Sequence, residues 1–302
     1  PIYTDMRCLF FLFVFMMMAV PGHTQPAGMS PGSDHARIEL MALPAGKWAS
    51  DAITLQNRRA DGVLSGLHIE LEEGWHTYWQ NPGDSGTPVR IDWELPDGFE
   101  AGALYWPYPQ SFEEGRMVTH GYKNESILLQ PISAAPEVED GSYELIADVE
   151  FLVCREACLP GFERLSLEVE VDDGRVLAVN ESPAGLFERH AEHLPQRFDQ
   201  SGTYQQLENR LMLSFPPALS RTLQETFDVG AATALKLHFY ASAENINEAS
   251  ALQTFAIEAD RLEAELGLSR YRNAPLQDEI SGVLVATKGD QTQAYELVFT
   301  HR

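Results

Sequence analysis

Two cysteines separated by three residues, Cys154 and Cys158, have the types and spacing best suited to chemistry in this chain. Paired thiols can form a disulfide that exchanges with other thiols, a disulfide that stabilises the fold, or a site for a soft metal ion. The sequence contains 3 cysteines, and the third, Cys8, lies in an apolar amino-terminal segment that we expect to be removed. The mature protein is then expected to keep Cys154 and Cys158 alone.

The strands that flank the pair must bring the two cysteines together. Residues four apart on one straight strand have Cα atoms about 13 Å apart, whereas a disulfide needs about 4.4 to 6.8 Å. The chain must therefore turn between them. Apolar and polar residues alternate over 144–153 and again over 162–171, which predicts two strands of a hairpin whose mouth the cysteines can bridge.

Spacing favours redox chemistry for this pair but leaves three interpretations open. A bridge that closes so small a loop constrains the unfolded chain little, which argues against a purely structural disulfide. At an exposed hairpin tip the bridge is accessible to an attacking thiolate. The positive charge of Arg155 would stabilise a thiolate at this tip, and the negative charge of Glu156 would destabilise it. A Cu(I) site, the third interpretation, would recruit Met117 or His120 beside the thiols.

Charge excludes two classes of partner. The chain has 302 residues, with 45 Asp+Glu against 21 Lys+Arg and a formal net charge of -24. A field of this sign repels nucleic acid and anionic membrane surfaces, so neither is expected as a partner. The length is sufficient for two domains of ordinary size.

The amino-terminal residues have the layout of a secretory signal peptide. A basic start at Met6-Arg7 precedes about a dozen apolar residues, and Pro21-Gly22 follows as a breaker. We expect translation to begin at Met6 and residues 1–27 to be removed, with an uncleaved anchor as the alternative. The apolar run is shorter than the ~18 residues that a membrane-spanning helix needs. The expected compartment is therefore outside the cytoplasm, where disulfides persist.

The rest of the chain is predicted to be all-β, in two domains. Short alternating segments with turn residues between them predict a β-sandwich over 36–172. Residues 173–202 are predicted to be a linker with a short helix over 182–194. A second, mostly β domain without cysteines is expected over 203–302, where residues 249–266 fit either a helix or strands.

An aromatic cluster and a turn precede the cysteine hairpin in the chain. Trp75, His76, Tyr78 and Trp79 alternate along a predicted strand, which favours roles in the core or in cross-strand pairs over contact with a partner. The Asn-Pro-Gly-Asp-Ser-Gly sequence at 81–86 is typical of a turn.

Val149–Gly161 resembles the cysteine hairpin of the amino-terminal periplasmic domain of the DsbD thiol:disulfide interchange proteins. It is more similar still to the ScsB-like branch, which is associated with suppression of copper sensitivity. Residues 36–172 carry the resemblance, and 173–302 look like the second β domain of that branch. The other matching motifs are Glu73-Gly74-Trp75-His76-Thr77-Tyr78-Trp79, Asn81-Pro82-Gly83-Asp84-Ser85-Gly86, Trp106-Pro107-Tyr108-Pro109 and Gly121-Tyr122.

The resemblance implies an immunoglobulin-like fold and a protein-disulfide reductase component in the periplasm. In this family the pair takes electrons from a membrane-embedded domain and passes them to periplasmic thiol-disulfide proteins such as disulfide isomerases. By position, Cys158 resembles the cysteine that forms the mixed disulfide, and Cys154 the one that resolves it. No cofactor beyond the cysteines is implied. The alternative is a non-catalytic periplasmic binding module, related to copper, whose disulfide is structural.

Two departures from the family pattern affect what is expected. The best-studied members space their cysteines more widely and shield them with a loop that carries a phenylalanine. The corresponding loop at 117–122 has none, so His120 or Tyr122 is expected to act as the shield. Full-length members also continue into a membrane domain and a thioredoxin-like domain. The resemblance therefore implies either a piece of a longer protein or a stand-alone periplasmic protein with a separate electron donor.

Overall fold

The computed structural model describes most of the chain beyond the expected signal peptide. The described residues are 30–44, 62–180, 184–228, 235–258 and 260–302. The predicted start at Met6, the third cysteine Cys8 and the predicted helix start at Ser182 and Pro183 lie outside them.

The first domain is a β-sandwich, as predicted. One sheet has the strand order β1-β2-β8-β5, and the other has the order β11-β10-β9-β3-β7-β6, with β4 also paired to β9. A 3-10 helix at Pro31–Asp34 precedes the sandwich. The strands are β1 (Ala36–Pro44), β2 (Val63–Leu71), β3 (His76–Gly83), β4 (Arg90–Glu94), β5 (Phe99–Ala101), β6 (Gln110–Glu114), β7 (Met117–Lys123), β8 (Glu125–Ala134), β9 (Gly141–Cys154), β10 (Cys158–Asp172) and β11 (Arg175–Ala178).

The core of the sandwich lies between the inner faces of the two sheets. Alternation along each strand places every second side chain on the inner face, which is why the period-two pattern of the sequence matches the strands. One cluster in this core joins Ile38, Leu67 and Ile69 to Val149, Phe151 and Val153. A second cluster joins Ala42, Val63 and Ile132 to Leu145, Leu167 and Val169.

The first part of the predicted linker packs against the first domain, whereas Gln196–Arg197 and Gly202 pair with the last strand of the second. β11 pairs with the end of β10, and helix α1 (Ala184–Ala191) covers the outer face of the β1-β2-β8-β5 sheet. Phe187 fills the space above Gly66, where a Cβ atom would lie 2.9 Å from the phenylalanine ring. Glycine at this position therefore lets the helix approach the sheet. The domain boundary over 173–202 stays a prediction.

The second domain is built on one sheet of eight strands. Its order is β15-β18-β19-β13-β14-β17-β16, with β12 paired to β19. The strands are β12 (Gln196–Arg197), β13 (Gly202–Leu207), β14 (Arg210–Ser214), β15 (Lys236–Ala241), β16 (Thr254–Glu258), β17 (Arg261–Gly267), β18 (Glu279–Lys288) and β19 (Gln291–His301).

One amphipathic helix completes the second domain. Helix α2 (Pro217–Phe227) buries Leu219, Leu223 and Phe227 against the sheet. The ambiguous segment 249–266 contains β16 and most of β17, so strands and not a helix form there. In the part of the chain that the structure describes, no helix is both long and apolar enough to cross a membrane.

The two domains meet at the end of β3. Asn81 is buried and its Nδ2 atom donates hydrogen bonds to the carbonyl oxygens of Ala241, at 2.7 Å, and Ala243, at 3.0 Å. The ring of Trp79 meets the ring of Tyr240 edge to face, with their centroids 6.0 Å apart. Polar and apolar contacts therefore hold the second domain against the sheet that carries the cysteines.

We expect Asn81→Ala to destabilise the protein by about 1 to 3 kcal/mol, because two buried carbonyl groups of the second domain lose their donor. Urea denaturation followed by fluorescence measures the loss. Asn273→Ala is the control, since Asn273 is exposed and its loss should stay within about 0.5 kcal/mol. Equal losses in the two variants would contradict the importance of this contact.

Candidate redox site

The site is built on the hairpin of β9 and β10. Cys154 ends β9 and Cys158 begins β10, and the two residues face each other in the strand register. Their sulfur atoms form a disulfide, with the Cα atoms 4.1 Å apart. The turn that spacing requires is supplied by Arg155, Glu156 and Ala157, closed by a hydrogen bond from the Arg155 N–H to the Ala157 carbonyl oxygen at 3.3 Å.

The two cysteines differ strongly in exposure. β9 lies between β10 and β3, and His76 of β3 faces Cys154, so Cys154 is only 2% exposed. Cys158 is exposed, because β11 pairs with β10 only from Val169 onward and no described strand covers the outer edge of β10 beside Cys158. Of the two cysteines, Cys158 is therefore the one at the surface, where an incoming thiolate arrives.

One hydroxyl group contacts the buried sulfur. The Tyr78 O–H donates a hydrogen bond to Cys154 Sγ at 2.8 Å and lies 3.6 Å from Cys158 Sγ. Burial, together with the charge of Glu114, raises the pKa of Tyr78 to about 12. The hydroxyl therefore keeps its proton at neutral pH and remains a donor.

The bend at 84–86, just after β3, holds Tyr78 in place. The first three residues of the predicted turn, 81–83, instead continue β3 after a shift in its register. Gly86 has φ +109, and a Cβ atom there would lie 2.2 Å from the Tyr78 ring. Any side chain would therefore displace the tyrosine. Asp84 fixes the same bend, since its Oδ2 accepts a hydrogen bond from the Val118 N–H at 2.9 Å. The glycine of the bend thus allows the backbone to pack directly on the ring.

A histidine and a phenylalanine lie beside Tyr78. The His76 ring stacks on Phe112, with centroids 4.8 Å apart, and meets the Tyr78 ring edge to face at 5.3 Å. His76 Nε2 lies 3.0 Å from Glu114 Oε1. Burial lowers the pKa of His76, and the charge of Glu114 opposes this shift. Phe112 belongs to β6, which pairs with β7, the strand that contains the expected shield residues His120 and Tyr122.

The hairpin turn is held by Trp75 on the other side. The Arg155 guanidinium lies 5.1 Å from the centroid of the Trp75 ring. The His35 ring also stacks on the Trp75 ring, with the two centroids 3.9 Å apart. His35 Nδ1 in turn contacts Glu72 at 2.8 Å. A cation over an aromatic face is attracted to the π electrons, so Arg155 is positioned by Trp75 beside the disulfide.

His120 and Tyr122, the expected shield, contact other parts of the molecule. His120 is buried against the second domain, with its ring 4.9 Å from that of Tyr240. The buried Tyr122 donates its O–H to the Pro107 carbonyl oxygen at 2.8 Å. Neither residue makes a hydrogen bond or ring contact with the described cysteines. Their shielding role, and the recruitment of Met117, which is exposed at the start of β7, stay predictions.

Tyr78 is the important residue that sequence reasoning missed. The sequence predicts core or cross-strand roles for the aromatic cluster, and Trp75, Tyr78 and Trp79 are buried. The signal that could have singled out Tyr78 is its position two residues after His76 on β3, which places both side chains on one face.

Tyr78→Phe should lower the reduction potential of the pair by about 10 to 30 mV. The hydroxyl bonds more strongly to a cysteine thiolate than to a disulfide, so its loss destabilises the reduced form. Equilibration with glutathione buffers measures the potential. Tyr143→Phe is the matched control, because its hydroxyl bonds to the Glu139 carbonyl oxygen at the surface. If Tyr78→Phe has the same reduction potential as Tyr143→Phe, the Tyr78 hydroxyl does not stabilise the reduced form.

The histidines at the domain contact should make stability depend on pH. Burial lowers the pKa of His120 to about 4, helped by the charge of His238 and opposed by Thr119 and Asp84. Burial also lowers the pKa of His238 to about 4. Between about pH 6.5 and pH 4 the unfolded chain therefore binds protons that the folded protein does not.

Stability from these two histidines should be complete above about pH 6.5 and lost as the pH falls towards 4. The difference in Tm between pH 7 and pH 4.5 should shrink in His238→Gln. His301→Gln is the control, since this residue is exposed at the end of β19. If the Tm falls by the same amount between pH 7 and pH 4.5 in the wild type and in His238→Gln, His238 does not cause the acid sensitivity.

Comparison with known proteins identifies the first domain. The family model described as "Thiol:disulfide interchange protein DsbD, N-terminal" matches residues 36–170. The crystal structure of the N-terminal periplasmic domain of ScsB from Proteus mirabilis is similar with a TM-score of 0.58 and 16% sequence identity, over 90% of this chain and 96% of that one. No curated protein matches.

A second solved structure, the reduced DsbD amino-terminal domain of Neisseria meningitidis, is similar at 13% identity. The matched region covers 49% of this chain and 93% of the Neisseria meningitidis chain, with a TM-score of 0.27. The all-β, immunoglobulin-like fold and the ScsB-like resemblance expected from the sequence are confirmed by the family match and the ScsB structure. Residues 36–170 therefore match the amino-terminal domain of the DsbD thiol:disulfide interchange family, and the chain shares its fold with the periplasmic domain of ScsB.

Proposed function

We propose that this protein is a periplasmic thiol-disulfide exchange module that passes electrons to partner disulfides through Cys154 and Cys158. The difference in exposure between the two cysteine residues is the observation that carries the proposal. Cys158 is open to solvent, whereas Cys154 is 2% exposed and has the Tyr78 hydroxyl 2.8 Å from its sulfur. A purely structural bridge requires neither the open sulfur nor the donor.

The oxidised pair would be reduced in two exchange steps. A thiolate of the electron donor attacks Cys158 Sγ, the Cys154–Cys158 bond breaks, and a mixed disulfide forms between the donor and Cys158. The leaving thiolate is Cys154, which receives the hydrogen bond of Tyr78 as its charge develops. A second donor thiolate then attacks the donor sulfur of the mixed disulfide. The donor leaves oxidised, and Cys154 and Cys158 have gained two electrons.

The reduced pair would pass the electrons on by the reverse chemistry. The Cys158 thiolate attacks one sulfur of a partner disulfide, and the other partner sulfur leaves as a thiolate. Cys154 then attacks Cys158 Sγ, which releases the reduced partner and restores the Cys154–Cys158 bond. The strand register keeps the two cysteines face to face, so the second attack is intramolecular.

The family supports the proposed classes of partner and the compartment. The matching family is one of thiol:disulfide interchange proteins, and the similar ScsB structure is described as a periplasmic domain. We therefore propose a membrane-embedded electron-transfer domain or protein as the donor and disulfide isomerase-like proteins as acceptors. The net charge of -24 favours contact with partners whose docking surfaces are basic.

Mixed-disulfide trapping tests the proposed roles of the cysteines. Cys154→Ala leaves the exposed Cys158 without its resolving partner, so it should capture an oxidised disulfide isomerase as a stable covalent complex. Cys158→Ala leaves only the buried thiol and should capture little. Non-reducing electrophoresis and mass spectrometry measure the complex. Equal capture by the two variants would show that exposure does not decide which sulfur is attacked.

The reduction potential separates exchange from a structural role. Structural disulfides of secreted proteins have potentials below about -300 mV, whereas exchange with isomerases needs a value well above that. We expect the oxidised wild-type chain to be reduced in glutathione buffers. Resistance to reduction in these buffers would support a binding module with a structural disulfide instead.

A further inference from the structure

A cluster of histidine and glutamate side chains lies on the outer face of the β1-β2-β8-β5 sheet, away from the disulfide. His68 and Glu70 are two residues apart on β2, which places them on the same face. Glu125, the first residue of β8, is opposite Glu70 in the strand register. One nitrogen or oxygen atom from each of the three side chains lies within 4.8 Å of the other two.

Helix α1 brings a second histidine to this cluster. His190 Nε2 lies 3.4 Å from Glu125 Oε2, while His68 Nε2 lies 2.7 Å from Glu125 Oε1. The two imidazole rings approach edge to face, with their centroids 6.3 Å apart. His68 is buried and the side chain of His190 is 11% exposed. Two nitrogen atoms from distant parts of the chain therefore converge on one carboxylate.

The contacts of the cluster suit a cation. Glu70 contacts Arg37 at 3.1 Å, whereas the Glu125 carboxylate contacts the two histidines. An anionic carboxylate and two imidazole rings are a donor set that a divalent transition metal ion accepts.

We propose that His68, Glu70, Glu125 and His190 bind a divalent transition metal ion such as Zn²⁺. Imidazole nitrogens and carboxylate oxygens are ligands that Zn²⁺ accepts at about 2.0 to 2.2 Å in a tetrahedral site. Ligand atoms of such a site lie about 3 to 4 Å apart. The distances of Glu125 to His68, 2.7 Å, and to His190, 3.4 Å, are close to this separation. The bound ion links the end of α1 to β2 and β8, and so fastens the helix to the first domain.

Zinc titration of the full, tag-free chain tests this site, with the disulfide kept oxidised so that no thiolate competes. Calorimetry should give one Zn²⁺ per chain, and Co²⁺ should give the visible absorption of a tetrahedral site. Glu125→Gln and His190→Gln should each weaken binding at least about tenfold. Zn²⁺ should raise the Tm of the wild type and leave the Tm of His190→Gln almost unchanged.

His35→Gln is the control that shows whether any histidine–carboxylate pair of this chain would account for the Zn²⁺ binding. His35 contacts Glu72 at 2.8 Å, as His68 contacts Glu125, but it lies beside Trp75 and is no part of the cluster. This variant should bind Zn²⁺ as the wild type does. Circular dichroism confirms that each variant folds. Absence of saturable binding by the wild type, or wild-type affinity in either Glu125→Gln or His190→Gln, would overturn the four-ligand site.

Discussion

The pairing of β9 with its neighbours is the constraint on which the site depends. β9 is bonded to β10 along its length and to β3 at its end, so Cys154 is enclosed by strands on both sides. Among the described strands, none pairs with the outer edge of β10 near Cys158, because β11 pairs only with its far end. One hairpin therefore produces two chemically different sulfurs. The hydrogen bond from Tyr78 favours departure of the Cys154 sulfur as a thiolate, and the exposure of Cys158 makes it the accessible target.

The aromatic side chains around the hairpin have separate tasks. Trp75 holds Arg155 of the turn, while Tyr78 contacts the buried sulfur from the neighbouring strand. Tyr78 itself is positioned by Gly86, whose backbone packs on its ring. The Tyr78 hydroxyl is therefore already beside Cys154 in the disulfide form, before any partner binds. Preorganisation of this kind places the stabilising donor where charge develops.

Much of this arrangement was accessible from the sequence, because its signals are local. Alternating residues predicted the strands of the hairpin, and the spacing of Cys154 and Cys158 required the turn between them. The contacts that decide the chemistry are not local. Tyr78 reaches Cys154 from 76 residues away in the chain, and α1 packs on a sheet whose nearest strands are far earlier in sequence. Periodicity shows which face of a strand is buried but not which residue of another strand meets it.

Asn81, near the end of β3, and Gly86, just beyond that strand, have different neighbours. Asn81 is bonded to carbonyl groups of the second domain, and Gly86 rests on the tyrosine that contacts the buried sulfur. The second domain thus contacts the same segment that positions Tyr78. A chain shortened to the first domain would lose the contacts that Asn81 and the Trp79 ring make with the second domain. A redox potential measured on the two-domain protein therefore describes the site with these contacts in place.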